Sequence, residues 1–411
     1  MIAFFFSLVF SLIAGEYVIK HLFPQNTYSL AQIVGLHIFE EGKNIPFTLK
    51  SNVNKFHHIG YTREFDHLVS TNSQGTRGPE FQIQKPENTF RILLLGDSMT
   101  FGWGVEDNET YASLLAENLN TWARKSNIST NFEVINAGFT DGKSLDSYYV
   151  YLKEKGLNFN PDLVIMDFFP YNDVSDIAEN NWEKTGSGGL PEKISSKIEK
   201  IENGYMVKRQ KTNWMFEIPV LRNSNLAILL FSAMEKGSPA LVTKIKDKLN
   251  VVEDKPKYSP QEVMDCLGKL EPKYCIGGLL ENYQKIKELT KGISTLTEKN
   301  NKQFLITLMS EAKQAVPISK KEDQKSALSP IQPQKDMKEF LVSEKIDYYD
   351  FLEILAKPNA NTFFYERDGH LNRVGHSQIA KGLSVFIAQK YFPKITIDPS
   401  FLEQGNSVPQ I

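Results

Sequence analysis

The sequence predicts an α/β protein: a three-layer α/β/α core around a parallel, flavodoxin-like sheet, with a β-rich N-terminal extension and a helical insertion. Three observations predict it. Apolar runs of strand length, such as residues 91–96 (RILLLG) and 163–169 (LVIMDFF), lack polar alternation, as strands buried on both faces require. Between them lie stretches with apolar residues at three-to-four spacing, the period of helices that cover a sheet. Each run then stops at small or polar turn residues, the place where an open parallel sheet presents its ligand.

Residues 1–23 are read as a membrane anchor or signal segment. Ile2 to Gly15 carries no charge, Glu16 interrupts the run, and Tyr17 to Ile19 resume it. A helix over Ile2 to Gly15 covers only about 21 Å; carried to Ile19 it approaches the roughly 30 Å hydrocarbon core, with Glu16 near one interface. A cleaved signal peptide and a buried helix are the rivals, but a basic leading region and an A-x-A-like cleavage site are both missing. Residues 24–90 form the extension: short extended pieces (PFTLKSN, HHIGYTREF) alternate with Asn, Gly and Pro turns such as STNSQGTRGPE.

The core is assigned to residues 91–176 and 279–392. FRILLLGDS is the first strand, followed by a helix from Thr110 with Ala112, Leu115, Leu119 and Trp122 on one stripe. FEVINAG and the helix SLDSYYVYLKEK come next, then the strand PDLVIMDFF. The pattern resumes with Leu279, Tyr283, Ile286, Leu289, Ile293 and Leu296 on a long helix, the strands QFLITLMS and KIDYYDF, and a closing helix that Pro393 ends. Residues 177–278 are read as the helical insertion, with helix-like stretches PEKISSKIEKIENG and SNLAILLFSAMEKG. Residues 320–336 are expected as a loop and 393–411 as a tail.

Composition narrows the partners. With a formal charge of -2, the chain has no reason to bind nucleic acid. Its two cysteines, Cys266 and Cys275, are either a disulfide of an oxidising compartment or small buried apolar residues. They do not make a zinc site, which needs four ligands at short paired spacings. His57, His58, Asp66 and His67 lie close in sequence but follow no metal-binding spacing, so neither metal nor cofactor is expected.

The strand ends carry the chemistry. The first strand ends in Gly96-Asp97-Ser98, the second in Asn136-Ala137-Gly138, and the third runs into Tyr171-Asn172-Asp173, while Asp368 and His370 stand before the closing helix. A serine hydroxyl is a weak nucleophile until a base takes its proton, and His370 supplies the side chain whose ordinary pKa suits that task. An acid holds the imidazole in the right tautomer; Asp368 is first choice, with Glu366 and Asp350 as alternatives. The oxyanion of a tetrahedral intermediate needs donors, here the Ser98 N–H, the Gly138 N–H and the Asn172 amide. The bland readings are Ser98 as a helix cap, Asn172 as a turn residue and His376 as a packing or capping residue. Arg77 is open between an anion ligand and a surface ion pair.

The ordered set GDS (96–98), Gly138 in NAGF, Asn172 in YND and Asp368/His370 in RDGHLN resembles the SGNH, or GDSL-type, hydrolase family over about half of the chain. The resemblance implies Ser98 as nucleophile, Gly138 and Asn172 in the oxyanion hole, and Asp368 with His370 completing the triad. Two features depart from the commonest family pattern. One residue instead of two separates Asp368 from His370, as in acetyltransferase-like branches, and Pro170 stands where glycine is usual two residues before Asn172. NSQGTRGPE and the apolar leader resemble bacterial envelope members, which implies an extracytoplasmic enzyme acting on acyl esters of an exported glycan or lipid. The expected function is therefore a serine esterase or O-acyltransferase. The rival readings are a catalytically inactive glycan-binding module and a lipase or thioesterase, and oligomeric state is left open.

Overall fold

The computed structural model describes residues 2–23, 25, 38–60, 62, 64–140, 143–197, 199–202, 205–208, 221–238, 241, 258, 260–312, 314–315 and 332–402. They fall into two compact units, residues 37–206 with 257–411, and residues 1–36 with 207–256. The helices used below are α1 (Ile2–Leu22), α2 (Ser98–Phe101), α3 (Tyr111–Lys125), α4 (Leu145–Glu154), α5 (Pro170–Asp176), α6 (Asn225–Gly237), α7 (Leu279–Lys299) and α8 (Arg373–Tyr391). α1 and α6 belong to the smaller unit, the others to the larger.

The larger unit opens with two antiparallel hairpins, β1 (Phe39–Glu41) with β2 (Phe47–Leu49) and β3 (Phe56–Ile59) with β4 (Asp66–Val69). Its sheet takes β5 (Thr89–Gly96), β6 (Asn131–Gly138) and β7 (Leu163–Phe168) and then, after a hairpin of β8 (Asn180–Thr185) and β9 (Pro191–Ser196), β10 (Gln303–Leu308) and β11 (Asp347–Asp350). The spatial order is β11-β10-β7-β5-β6 with every pairing parallel. Counted along the sheet strands alone this is the doubly wound order in which the connection reverses between the first and third strands. The reversal leaves a crevice at the carboxyl ends of β5 and β7, just where Ser98 and Asn172 follow their strands.

The central strands are mostly apolar because both faces are covered. Leu93 and Leu95 of β5, with Val164 and Met166 of β7, pack against Tyr148 and Leu152 of α4 and Ile286 and Leu289 of α7. Ile92, Leu94 and Ile165 face the other way, against Leu115, Leu119 and Trp122 of α3 and Ile379 and Leu383 of α8. The stripe expected on the first helix is therefore its buried side, and Thr110 caps it by accepting the Ser113 N–H.

Two expectations change. The described residues of 191–204 do not form a helix: Pro191 to Ser196 is the strand β9, and 199–202 are extended as well, while residues 198, 203 and 204 lie outside the described set. Pro191, Ile194 and Ser196 turn inward while Lys193 is exposed, and the turn at Gly186–Gly189 lets β9 pair back onto β8, so the strand ladder satisfies this backbone. Of the expected loop at 320–336, residues up to 331 lie outside the described set, and Gln332–Glu344 is helical. Cys266 and Cys275 are joined in a disulfide.

Candidate active site

β5 ends at Gly96, and Asp97 caps the single turn α2 by accepting the Met99 N–H at 2.9 Å. The cap leaves Ser98 as the first residue of the turn, with an N–H that has no intrahelical acceptor. The other Asp97 oxygen accepts from the Asn172 amide at 3.3 Å, tying the start of α5 to the end of β5. An amide nitrogen has two hydrogens, so this bond leaves one for another acceptor.

Ser98 Oγ and His370 Nε2 are 2.8 Å apart, across a sequence separation of 272 residues. On the far side of the ring, His370 Nδ1 lies 2.6 Å from Asp368 Oδ1. With Asp368 ionised, Nδ1 carries the proton and Nε2 is the acceptor for the serine hydroxyl, a tautomer assigned from this bonding. Gly369 explains how one intervening residue suffices. Its φ of +85° reverses the chain, the Gly369 N–H donates to the Tyr365 carbonyl at 3.1 Å, and the aspartate folds back onto the imidazole two residues ahead. Burial, the largest single influence, raises the Asp368 carboxyl, but the bond from the His370 ring, the charge of that ring, the His370 N–H and Trp103 together outweigh it and hold the group below its ordinary range. Asp350 is engaged elsewhere, by Lys338 at 2.6 Å and the Leu352 N–H at 3.0 Å, and Glu366 is exposed. Of the three acids considered, Asp368 is the one that meets the imidazole.

Gly138 is in a different position from the one expected. Its N–H donates to Asn136 Oδ1 at 3.0 Å, so this donor is committed inside β6 and is not presented to an oxyanion. Glycine is required there for another reason. A Cβ at 138 would lie 2.3 Å from the Phe101 nitrogen, because α2 crosses directly over the end of β6. The donors that remain beside Ser98 are its own N–H and the Asn172 amide. Asn172→Ala is expected to lower kcat by about 10²–10³-fold with little change in KM; an unchanged kcat would remove Asn172 from the oxyanion site.

Residues outside the motifs hold the site. Two backbone N–H groups, of Arg367 at 3.0 Å and Asp368 at 2.8 Å, donate to the Glu64 carboxylate, which fixes the loop bearing the acid. Arg77 is buried and donates to Asp107 and to the carbonyls of Phe101, Gly102 and Val105, clamping the segment after Ser98. It is thus neither an exposed ion pair nor an anion ligand. The Trp103 ring lies 5.8 Å from that of His370 and 4.6 Å from that of His58. His58 and His67 face each other across the β3–β4 hairpin and are buried, while His57 pairs with Asp66 on its exposed side. Burial, with Arg77 nearby, drives the His67 imidazole down to about 2, so it is a neutral packing group. Among the described residues no group of three metal-capable side chains forms. His376 accepts the Tyr111 N–H at 3.2 Å and stacks on that ring, the capping role its place in sequence suggests.

Behind the serine, Asp97, Asp167 and Asp173 are all buried. Burial and the neighbouring Asp97 raise Asp167 well above the carboxylate range, and its oxygens meet Thr307 at 2.7 Å and Thr100 at 3.2 Å. The folded state therefore keeps a proton on Asp167 after the unfolded chain has lost it. Stability falls as pH rises from the ordinary carboxyl range toward the raised value. Asp167→Asn is expected to flatten the fall by up to about 1.4 kcal/mol per pH unit. Urea midpoints between pH 4 and about 7 measure this; parallel curves for the two proteins would show that Asp167 is ionised in the fold.

No family model and no curated protein matches the chain. Among solved structures it is similar to a lipase/acylhydrolase from Enterococcus faecalis, at 12% identity over 73% of this chain and 96% of that one, with a TM-score of 0.37. The acetyl xylan esterase AlAXEase gives 11% identity over 72% and 100%, with a TM-score of 0.35. A member of the lipolytic protein G-D-S-L family from Veillonella parvula DSM 2008 gives 11% over 74% and 98%, with a TM-score of 0.33. Likenesses this loose bear on neither activity nor substrate.

Proposed function

We propose that the chain is an SGNH-type serine hydrolase or O-acyltransferase that takes an acyl group, acetyl first, from an ester of an envelope glycan or lipid. The observation that carries this reading is the bonded line Ser98 Oγ, His370 Nε2 and Nδ1, Asp368 Oδ1, with spacings of 2.8 and 2.6 Å, at the reversal point of the sheet. In the first half-reaction Ser98 Oγ bonds to the ester carbonyl carbon as its proton passes to His370 Nε2. The oxyanion so formed is held by the Ser98 N–H and the free hydrogen of the Asn172 amide. The intermediate collapses by breaking the bond to the alcohol oxygen, which takes the proton from Nε2 and leaves the acyl group on Ser98. In the second half, water or an acceptor hydroxyl gives its proton to Nε2 as its oxygen bonds to the acyl carbon, and the intermediate collapses by breaking the bond to Ser98 Oγ, which takes the proton back from Nε2. Asp368 stays ionised and stabilises the imidazolium in both halves.

Two further features support placement outside the cytoplasm on a membrane anchor. α1 is an apolar helix of membrane-spanning length and composition, with Phe4, Phe5, Phe6 and Phe10 exposed. The disulfide between Cys266 and Cys275 suits an oxidising compartment. The direct test is to quench the protein during turnover of an aryl acetate and map the trapped acetyl group by peptide mass. Acetyl on the Ser98 peptide is expected, and acetyl elsewhere or on no peptide overturns the reading. Repeating the turnover with and without an acceptor oligosaccharide separates the two outcomes: acetate freed without acceptor marks a hydrolase, product formed only with it a transferase.

A further inference from the structure

We propose that α6 is embedded in the bilayer beside α1, so that the chain meets lipid through two apolar helices linked by Glu16. The backbone N–H groups at the start of α6 carry the argument. Asn225 N–H donates to one Glu16 oxygen at 2.8 Å and Leu226 N–H to the other at 2.9 Å. Ala227 N–H donates to Ser224 Oγ at 3.1 Å, and the N–H of the cap residue Ser224 reaches the Leu221 carbonyl at 3.0 Å. The Ser224 hydroxyl and the Asn225 side-chain amide also donate to Glu16, at 2.8 and 3.1 Å. All four N–H groups that a helix start normally leaves to water are thus paired within the protein, and both oxygens of the carboxylate are occupied. A helix beginning in water can leave some of these groups to the solvent. One beginning in lipid requires this pairing, since nothing in the hydrocarbon can bond an exposed N–H.

The sequence agrees. Leu226 to Met234 (LAILLFSAM) is free of charge, and Leu230 and Ala233 are exposed on α6 as Phe10 and Ile13 are on α1. Gly15 allows the close approach, since a Cβ there would come within 3.2 Å of the Leu226 side chain. Glu16, the one acidic residue of α1, thereby gains the partner that an ionisable group in a membrane needs. At 13 residues α6 reaches only about 20 Å, short of a full crossing, so it occupies the leaflet that holds Glu16. The occupant of the exposed α6 face is accordingly the acyl chains of that leaflet.

The inference takes the anchoring of α1 from the proposed function, and the test separates the two. Full-length protein is reconstituted in phosphatidylethanolamine–phosphatidylglycerol vesicles, with p-benzoylphenylalanine placed in turn at Phe10, Leu230 and, as a control on the larger unit, Val342. Irradiation is expected to give lipid adducts at 10 and 230 and none at 342. An adduct at 10 without one at 230 overturns the embedding of α6 and leaves the anchor standing. Intact mass showing residues 1–23 removed overturns both. In a second pair of samples Glu16→Ala is expected to lose the adduct at 230 while keeping that at 10; an unchanged yield at 230 overturns Glu16 as the link. Fluorophosphonate labelling of Ser98 in the same vesicles reports separately on the catalytic unit.

Discussion

Ser98→Ala is expected to lower kcat for an aryl acetate by on the order of 10⁶-fold and to abolish labelling by a fluorophosphonate. The size follows from what the hydroxyl does. Without it no acyl-enzyme forms, His370 has no proton to take at Nε2, and the remaining help comes from the oxyanion donors and substrate positioning. The fold should survive, because Ser98 is small, sits on a single turn whose cap comes from Asp97, and gives up only its bond to His370. Circular dichroism and the urea midpoint of the variant check this. A variant that keeps the wild-type rate, or still reacts with the probe, would show that the nucleophile lies elsewhere. If wild type itself neither turns over esters nor labels, the inactive glycan-binding module becomes the better reading.

The sheet and its site were readable in sequence to different depths, for physical reasons. Strands buried on both faces are near-continuous apolar runs, so β5, β6, β7 and β10 stood out, and a ligand crevice at their carboxyl ends follows from the doubly wound order. Ser98, Asn172, Asp368 and His370 lie at or near such ends and need no fine packing to be noticed. The stretch 191–204 misled because Ile194, Ile198 and Ile201 have a helix-compatible spacing, while the pairing of β9 with β8 is a non-local fact. Gly138 misled differently. A glycine at a strand end has two possible reasons, a donated N–H or an absent Cβ, and sequence does not separate them; the bond to Asn136 and the approach of Phe101 do. Glu64 left no sequence signal, since it acts on backbone N–H groups more than 300 residues ahead. Arg77 drew notice from its Gly-rich setting, but its clamp on three carbonyls depends on a buried approach that composition does not encode.

Asp368→Asn is the sharper test of how the site works, because it changes one atom and leaves the loop in place. The loop is held by Gly369, by the Tyr365 N–H bond to the His370 carbonyl at 2.9 Å, and by Glu64 on the Arg367 and Asp368 N–H groups. None of these uses the Asp368 side chain, so the asparagine should occupy the same position. With its amide nitrogen turned toward the ring, it favours the tautomer that accepts at Nδ1 and carries hydrogen at Nε2, which cannot take the serine proton. The neutral side chain also removes the charge that stabilises the imidazolium. The expected result is a fall in kcat of about 10⁴-fold near neutral pH, with substrate binding little altered. Asp350→Asn and Glu366→Gln serve as the comparison, since Asp350 is bound to Lys338 and Glu366 is exposed, and both should stay close to wild type in rate. A large loss in either of those, with Asp368→Asn near wild type, would transfer the orienting role to that acid. The short Asp-Gly-His spacing would then be a feature of the turn, and the 2.6 Å contact between Asp368 and His370 would hold the loop without directing the proton.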